Sequence, residues 1–130
     1  MMYLLDVNAL VALGFLNHEF HSRVAAWIQS SRSTQLASCS ITELGFVRVL
    51  SQAAAYGFTV AQARTLLMRL KRARPPLAFI PDAHDVSHLP SWVRMPRQIT
   101  DGHLSQLAQA NGAILATLDE SIPGSFVIPN

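Results

Sequence analysis

Cysteine is almost missing from this chain. Cys39 is the only one among 130 residues, so no internal disulfide can form and a reducing, cytoplasmic compartment is the natural expectation. Lysine is as scarce, with Lys71 alone beside nine arginines. Only eight carboxylates occur: Asp6, Glu19, Glu43, Asp82, Asp85, Asp101, Asp119 and Glu120. Charged residues make up 14% and hydrophobic residues 50%, which excludes a disordered chain. No apolar run approaches the ~20 residues of a membrane span. The apolar start has no Lys or Arg ahead of it and is interrupted by Asp6, so it does not read as a signal peptide. The expectation is a soluble intracellular protein with no membrane partner. Without repeats, low-complexity tracts or long linkers, residues 1–130 are expected to form one domain.

Strand and helix patterns alternate along the chain. Residues 2–5 form a short apolar run ending at Asp6, as in a strand buried on both faces. Residues 8–15, apolar nearly all round, predict a short buried helix, and Phe20, Val24, Trp27 and Ile28 repeat at helical spacing. Residues 35–39 predict a second strand and 40–55 a helix broken near Gly57. Thr59 is placed to cap the next helix, which carries Ala63, Leu66, Leu67 and Leu70 on one stripe and stops at Pro75-Pro76. Residues 77–80 predict a third strand, 81–98 an irregular proline-bearing stretch, and 101–111 a last helix stopped by Gly112. Residues 113–118 and 125–128 complete the strands. This alternation predicts an α/β sandwich around a mostly parallel sheet.

In such a sheet, ligands bind beyond the carboxyl ends of the strands. Asp6 ends the first strand, Asp119 follows the fourth, and Glu43 and Asp101 fall near helix starts, so all four are expected on one edge. Singly, each has a structural explanation: Ser40-Ile41-Thr42-Glu43 fits a capping box, Asp101 an N-cap or first-turn acid, and Asp119 a turn residue. Asp6 is the exception, since an acid between Leu5 and Val7 in a buried segment is costly to bury. Clustered carboxylates repel one another unless a cation is present or their pKa values rise. Oxygen-only donors suit Mg²⁺ or Mn²⁺, ions that promote phosphodiester hydrolysis.

These motifs resemble the PIN domain family. The resemblance is carried by Leu4-Leu5-Asp6-Val7-Asn8-Ala9-Leu10, Ile41-Thr42-Glu43-Leu44 with Arg48, Ile99-Thr100-Asp101-Gly102-His103-Leu104, and Leu115-Ala116-Thr117-Leu118-Asp119. All four occur in order across essentially the whole chain, and within the family they are most similar to VapC-type toxin ribonucleases. The resemblance implies a PIN-like three-layer sandwich and metal-binding, catalytic acids at Asp6, Glu43, Asp101 and Asp119. Asn8, Thr117, Thr100 and Arg48 become supporting pocket residues, and His103 a surface neighbour of the site. It further implies Mg²⁺- or Mn²⁺-dependent endoribonuclease activity on tRNA or rRNA, inhibition of translation, homodimerisation, and an antitoxin partner that inserts an Arg or Lys into the acidic pocket.

Basic residues suggest how RNA or the antitoxin could be held. Five of the ten lie between Arg64 and Arg74, and Arg64, Lys71 and Arg72 are expected to share one exposed helix flank, either as a solvated face or as a phosphate track. Trp92, Arg94 and Arg97 precede the Asp101 motif and suit stacking of an unpaired base, or simple anchoring of the loop. Asp82, His84, Asp85 and His88 have no cysteine among them and spacing too common to suggest zinc. Two other readings stay open: a PIN-like module that binds RNA or protein without cutting, and a haloacid-dehalogenase-like phosphatase. The latter wants a second Asp where this chain has Asn8, and a well-placed Lys. DNA as the nuclease substrate also stays open.

Overall fold

Short apolar runs become the strands, and each of the first three is followed by a helix whose apolar stripe returns over the sheet. The computed structural model describes residues 1–31 and 33–130. Its order is β1 (Met2–Leu5), α1 (Val7–Gly14), α2 (His21–Ser30), β2 (Gln35–Cys39), α3 (Ser40–Gln52), α4 (Val60–Arg72), β3 (Leu77–Ile80), α5 (Ile99–Ala110), β4 (Ala113–Thr117) and β5 (Phe126–Val127). The five strands form one sheet ordered β3-β2-β1-β4-β5, and every pairing is parallel.

Side chains alternate between the two faces, as strand geometry requires. Leu5, Leu36 and Ala116 point into one core with Leu10, Val24, Phe46 and Leu67 of α1 to α4. Leu4, Ala37, Cys39 and Leu115 point into the other with Leu104, Leu107 and Ala108 of α5. The result is the expected three-layer sandwich. Leu4 and Leu5 are neighbours in sequence, yet both are fully buried, one in each core. Each contributes roughly 1.5–3 kcal/mol of apolar burial.

Several boundaries differ from expectation for physical reasons. α3 stops at Gln52. The alanines that follow turn out of the helix, and the ring of Tyr56 packs edge-on to Phe15, their centroids 4.8 Å apart. α4 is capped by Thr59 as expected: its hydroxyl accepts from the Gln62 N–H at 3.0 Å, and the Gln62 side chain accepts from the Thr59 N–H at 2.9 Å. α5 begins at Ile99, continuing a short 3₁₀ turn at Pro96–Gln98, so Asp101 lies inside its first turn. Gly112, at φ 68°, takes the left-handed conformation that ends α5. No helix among the described residues is long and apolar enough to cross a membrane.

Strand order places the site. From β1 the chain moves outward through β2 to β3, then crosses back to lay β4 on the other side of β1. The carboxyl ends of β1 and β4 therefore flank a topological switch point, where open parallel sheets form crevices. Leu5 pairs with Ala116, and the Asp6 N–H donates to the Ala116 carbonyl at 2.9 Å, which brings Asp6 beside Thr117.

Candidate active site

Asp6 leaves β1 and caps α1, its Oδ1 accepting from the Val7 N–H at 2.8 Å. Its Oδ2 accepts from the Thr117 hydroxyl at 2.8 Å. Thr117, fully buried, is the hub of the site. It also accepts from Asn8 Nδ2 at 3.1 Å and from the Asp119 N–H at 3.0 Å. Asn8 completes the link from β1 to β4 by accepting from the Leu118 N–H at 3.0 Å. Asn8 and Thr117 thus form a polar link between α1 and the end of β4. Asp119 is fixed in turn by Ser121, whose N–H and hydroxyl donate to Oδ1 at 2.8 and 2.7 Å.

Electrostatics set the acids apart. Burial pushes the Asp6 carboxyl above its ordinary range; bonds from Thr117 and Val7 oppose this, and the Asp119 charge adds to it. The bonds from Ser121 hold Asp119 below the ordinary range. Asp101 is pushed up to about 6, first by burial and then by the charges of Asp6 and Asp119. Three carboxylates thus sense one another, and Asp101 carries the strain.

Glu43 is placed differently. The capping box expected to occupy it forms one residue earlier, where the Cys39 N–H donates to the Thr42 hydroxyl at 3.0 Å. Glu43 Oε2 instead accepts from the buried Ser38 hydroxyl at 2.7 Å and pairs with Lys71 Nζ at 2.8 Å. The charges that raise Asp101 are those of Asp6 and Asp119, and Glu43 is not among them. The expectation that Lys71 shares an exposed flank with Arg64 and Arg72 is corrected: its long stem turns inward to Glu43, while both arginines stay exposed. The ammonium sought by the phosphatase reading therefore lies on Glu43 rather than beside Asp6.

A cleft of about 490 Å³ opens over Asp101 and Asp119, walled by Trp92, Arg97, Gln98, Ser121 and Ile122. Trp92 packs on the core of the α5 face, the anchoring expected of it, and also lines this cleft. Arg97 joins it there, while Arg94 is exposed and outside the lining. Thr100 and Arg48 are exposed and take no part in the hydrogen-bond network around Asp6 and Thr117. His103 Nε2 meets Asp82 Oδ2 at 2.7 Å, tying the 81–88 loop to α5, and His84 stacks on His88 with centroids 4.4 Å apart. Ser38 and Ser121 went unremarked in the sequence. Ser38 left one signal, a hydroxyl in the middle of an apolar strand.

Among the described residues, no three His, Cys, Asp or Glu side chains already stand where they could hold a metal ion. The fit of a cation rests on donor chemistry: Asp6, Asp101 and Asp119 offer only oxygen, as hard divalent ions require, and the charges of Asp6 and Asp119 both bear on Asp101.

Comparison with known proteins agrees with this geometry. The PIN domain family model matches residues 3–123. Ribonuclease VapC38 of Mycobacterium tuberculosis is 39% identical over 126 residues, covering 93% of this chain and 87% of that protein. Ribonuclease VapC44 of the same species is 38% identical over 128 residues, covering 94% and 89%. The chain belongs to the PIN domain family, on its VapC branch. In fold it is similar to the crystal structure of VapBC2 from Rickettsia felis bound to a promoter DNA fragment, with a TM-score of 0.63, 16% identity and coverage of 97% and 96%. DNA-bound VapBC from Salmonella typhimurium is similar with a TM-score of 0.55 and 17% identity, again covering 97% and 96%.

Proposed function

We propose that this chain is a metal-dependent endoribonuclease, the toxin of a VapBC-type pair, acting in the cytoplasm on tRNA or rRNA to inhibit translation. The observation that carries the reading is the trio Asp6, Asp101 and Asp119 at the switch point of the sheet, with Asp101 raised to about 6 by burial and then by the charges of Asp6 and Asp119. Mycobacterial relatives named as VapC ribonucleases, similar over nearly the whole chain, support the same activity.

Asp6, Asp101 and Asp119 would hold Mg²⁺ or Mn²⁺. When bound, the ion supplies Lewis acidity that activates water and stabilises a departing oxygen. Thr117 and Val7 hold both oxygens of Asp6 in fixed directions, so its orientation is set before substrate arrives. Ser121 keeps Asp119 ionised. Asp101, with no hydrogen bond lowering it, is the acid free to respond to positive charge. Arg97 at the cleft wall draws a phosphate in, and Trp92 offers a face to an unpaired base.

The proposed regulatory partner is a small antitoxin presenting an Arg or Lys to the same acids, and the working unit a homodimer. A groove of about 710 Å³ between the end of α1 and the start of α4 has Phe15, Leu16, Phe58 and Leu66 in its wall and no acid, which suits a protein partner. A time course on a total tRNA and rRNA pool, with Mg²⁺ and then EDTA, tests the reading. Discrete products that need Mg²⁺ support it; products indifferent to EDTA, or none from a folded protein, overturn it.

A further inference from the structure

We propose that the cavity beside the acid cleft is a base pocket. It takes one unpaired nucleobase of the RNA, close to the phosphate to be cut, and sets which base is accepted there. This rests on the ribonuclease reading above and deepens it.

The cavity and the cleft adjoin. The cavity, about 640 Å³, is walled by Trp92, Pro90 and Pro123 and by Ser105, Gln106 and Gln109 of α5. Trp92 also lines the cleft over Asp101 and Asp119, so the two meet at its side chain. The turn after β4 passes from one to the other, with Ile122 in the cleft and Pro123 in the cavity. On α5, Asp101, Ser105 and Gln109 follow one another at four-residue spacing and lie on one stripe. Ser105 is ~6 Å and Gln109 ~12 Å along the helix from Asp101. A base in the cavity therefore belongs to a nucleotide near the phosphate held over the acids.

The lining suits a base rather than a phosphate. No charged side chain is in it, whereas phosphates call for Arg or Lys. Trp92 offers the aromatic face on which unpaired bases stack. The amides of Gln106 and Gln109 each carry a donor and an acceptor, the pair that reads a base edge. On the same helix His103 is engaged by Asp82 and Asn111 by the Leu107 carbonyl; among the described residues the two glutamine amides make no such bond. The walls are also fixed in advance. The Val93 N–H donates to the Pro90 carbonyl at 3.1 Å, closing the turn that carries Trp92, and Gly102, having no Cβ, lets Val93 pack against α5. In the turn after β4, the Ser125 hydroxyl donates to the Ile122 carbonyl at 2.8 Å. A pocket built this way loses little freedom when it is filled.

Nucleosides test the pocket without phosphate, metal or cleavage. The chain has two tryptophans, and Trp27 is only 5% exposed in the opposite core, so a stacked base quenches Trp92 against a constant background. In EDTA, with correction for nucleoside absorption, at least one of adenosine, guanosine, cytidine and uridine is expected to quench saturably, with the millimolar affinity of so small a ligand. Gln106→Leu, and Gln109→Leu at an exposed position, are each expected to weaken that binding at least about fivefold. Cleaving an RNA substituted base by base around its cut, the same variants should lose at least about fivefold discrimination at one position and keep it at the others, whereas a merely structural role would slow every substrate alike. No saturable quenching by any nucleoside, as when a protein segment is the occupant, would overturn the proposal. So would quenching that both variants retain, or a uniform loss across positions. Mg²⁺-dependent cleavage without quenching leaves the ribonuclease reading standing and removes this inference alone. Quenching that the variants lose, in a protein that cuts no RNA, keeps the pocket and overturns the reading.

Discussion

Asp101→Asn is expected to stabilise the metal-free protein at neutral pH while abolishing its activity. Its carboxyl moves from an ordinary 3.8 to about 6 on folding, so the folded state binds the proton more tightly than the unfolded chain does. Stability should therefore rise as pH falls from above 6 towards 4, and the penalty for the ionised form is fully present at pH 7.5. A displacement of roughly two pH units corresponds to ~3 kcal/mol. Asp101 is only partly buried, and discounting for solvent screening leaves ~1–2 kcal/mol. Asn removes the charge at nearly constant volume, so it should recover about that amount at pH 7.5 and little at pH 4.5. Urea unfolding in EDTA at the two pH values measures both. Saturating Mg²⁺ should erase the advantage at pH 7.5, because the ion neutralises the same repulsion in the original protein. Equal effects of the substitution at both pH values, or destabilisation at pH 7.5, would refute the claim that burial and the charges of Asp6 and Asp119 disfavour the ionised form of Asp101.

Other perturbations probe the scaffold. Thr117→Val keeps shape but deletes the hydroxyl that bonds Asp6, Asn8 and the Asp119 N–H; at ~1 kcal/mol for a neutral bond and more to a charged partner, a loss of ~3 kcal/mol is expected, visible as a lower Tm, together with loss of cleavage. A Cβ at Gly102 would lie 2.2 Å from Val93 Cγ2 and 3.3 Å from Pro90 Cδ, so Gly102→Ala should cost ~1–3 kcal/mol in thermal unfolding and shift Trp92 fluorescence as the 90–93 segment is displaced. Arg64 and Arg72 line a basic groove of about 390 Å³ with Met68 and Arg69; if it carries RNA phosphates, each Arg→Ala should lower the slope of log K against log salt by ~0.7–0.9, and an unchanged slope would assign this face to solvent.

The fold was largely legible because its signals were local. The apolar runs at 2–5, 35–39 and 77–80 coincide with β1, β2 and β3, and Thr59 caps α4 as its position suggested. Asp6 announced itself as an acid inside a buried segment, and it proved only 6% exposed. What escaped depended on tertiary contact. Helical spacing correctly put Lys71 on a flank of α4, but a flexible four-carbon stem lets the charge leave that flank for Glu43 on α3. The capping motif at Ser40–Glu43 was misplaced by one residue because β2 runs directly into α3, making Cys39 the cap. Ser121 could be recognised as a partner of Asp119 only once the turn that folds it back was known.

Metal-dependent RNA cleavage by the acid trio is tested most directly by the cleavage rate of one identified RNA. That rate should be measured for the intact protein in Mg²⁺ and in EDTA, and for folded Asp6→Asn in Mg²⁺. Asp6 sits at the junction of β1, α1 and the Thr117 network, so cleavage should be present in the first condition and lost in the other two. Full cleavage by Asp6→Asn in Mg²⁺, or by the intact protein in EDTA, would contradict the account.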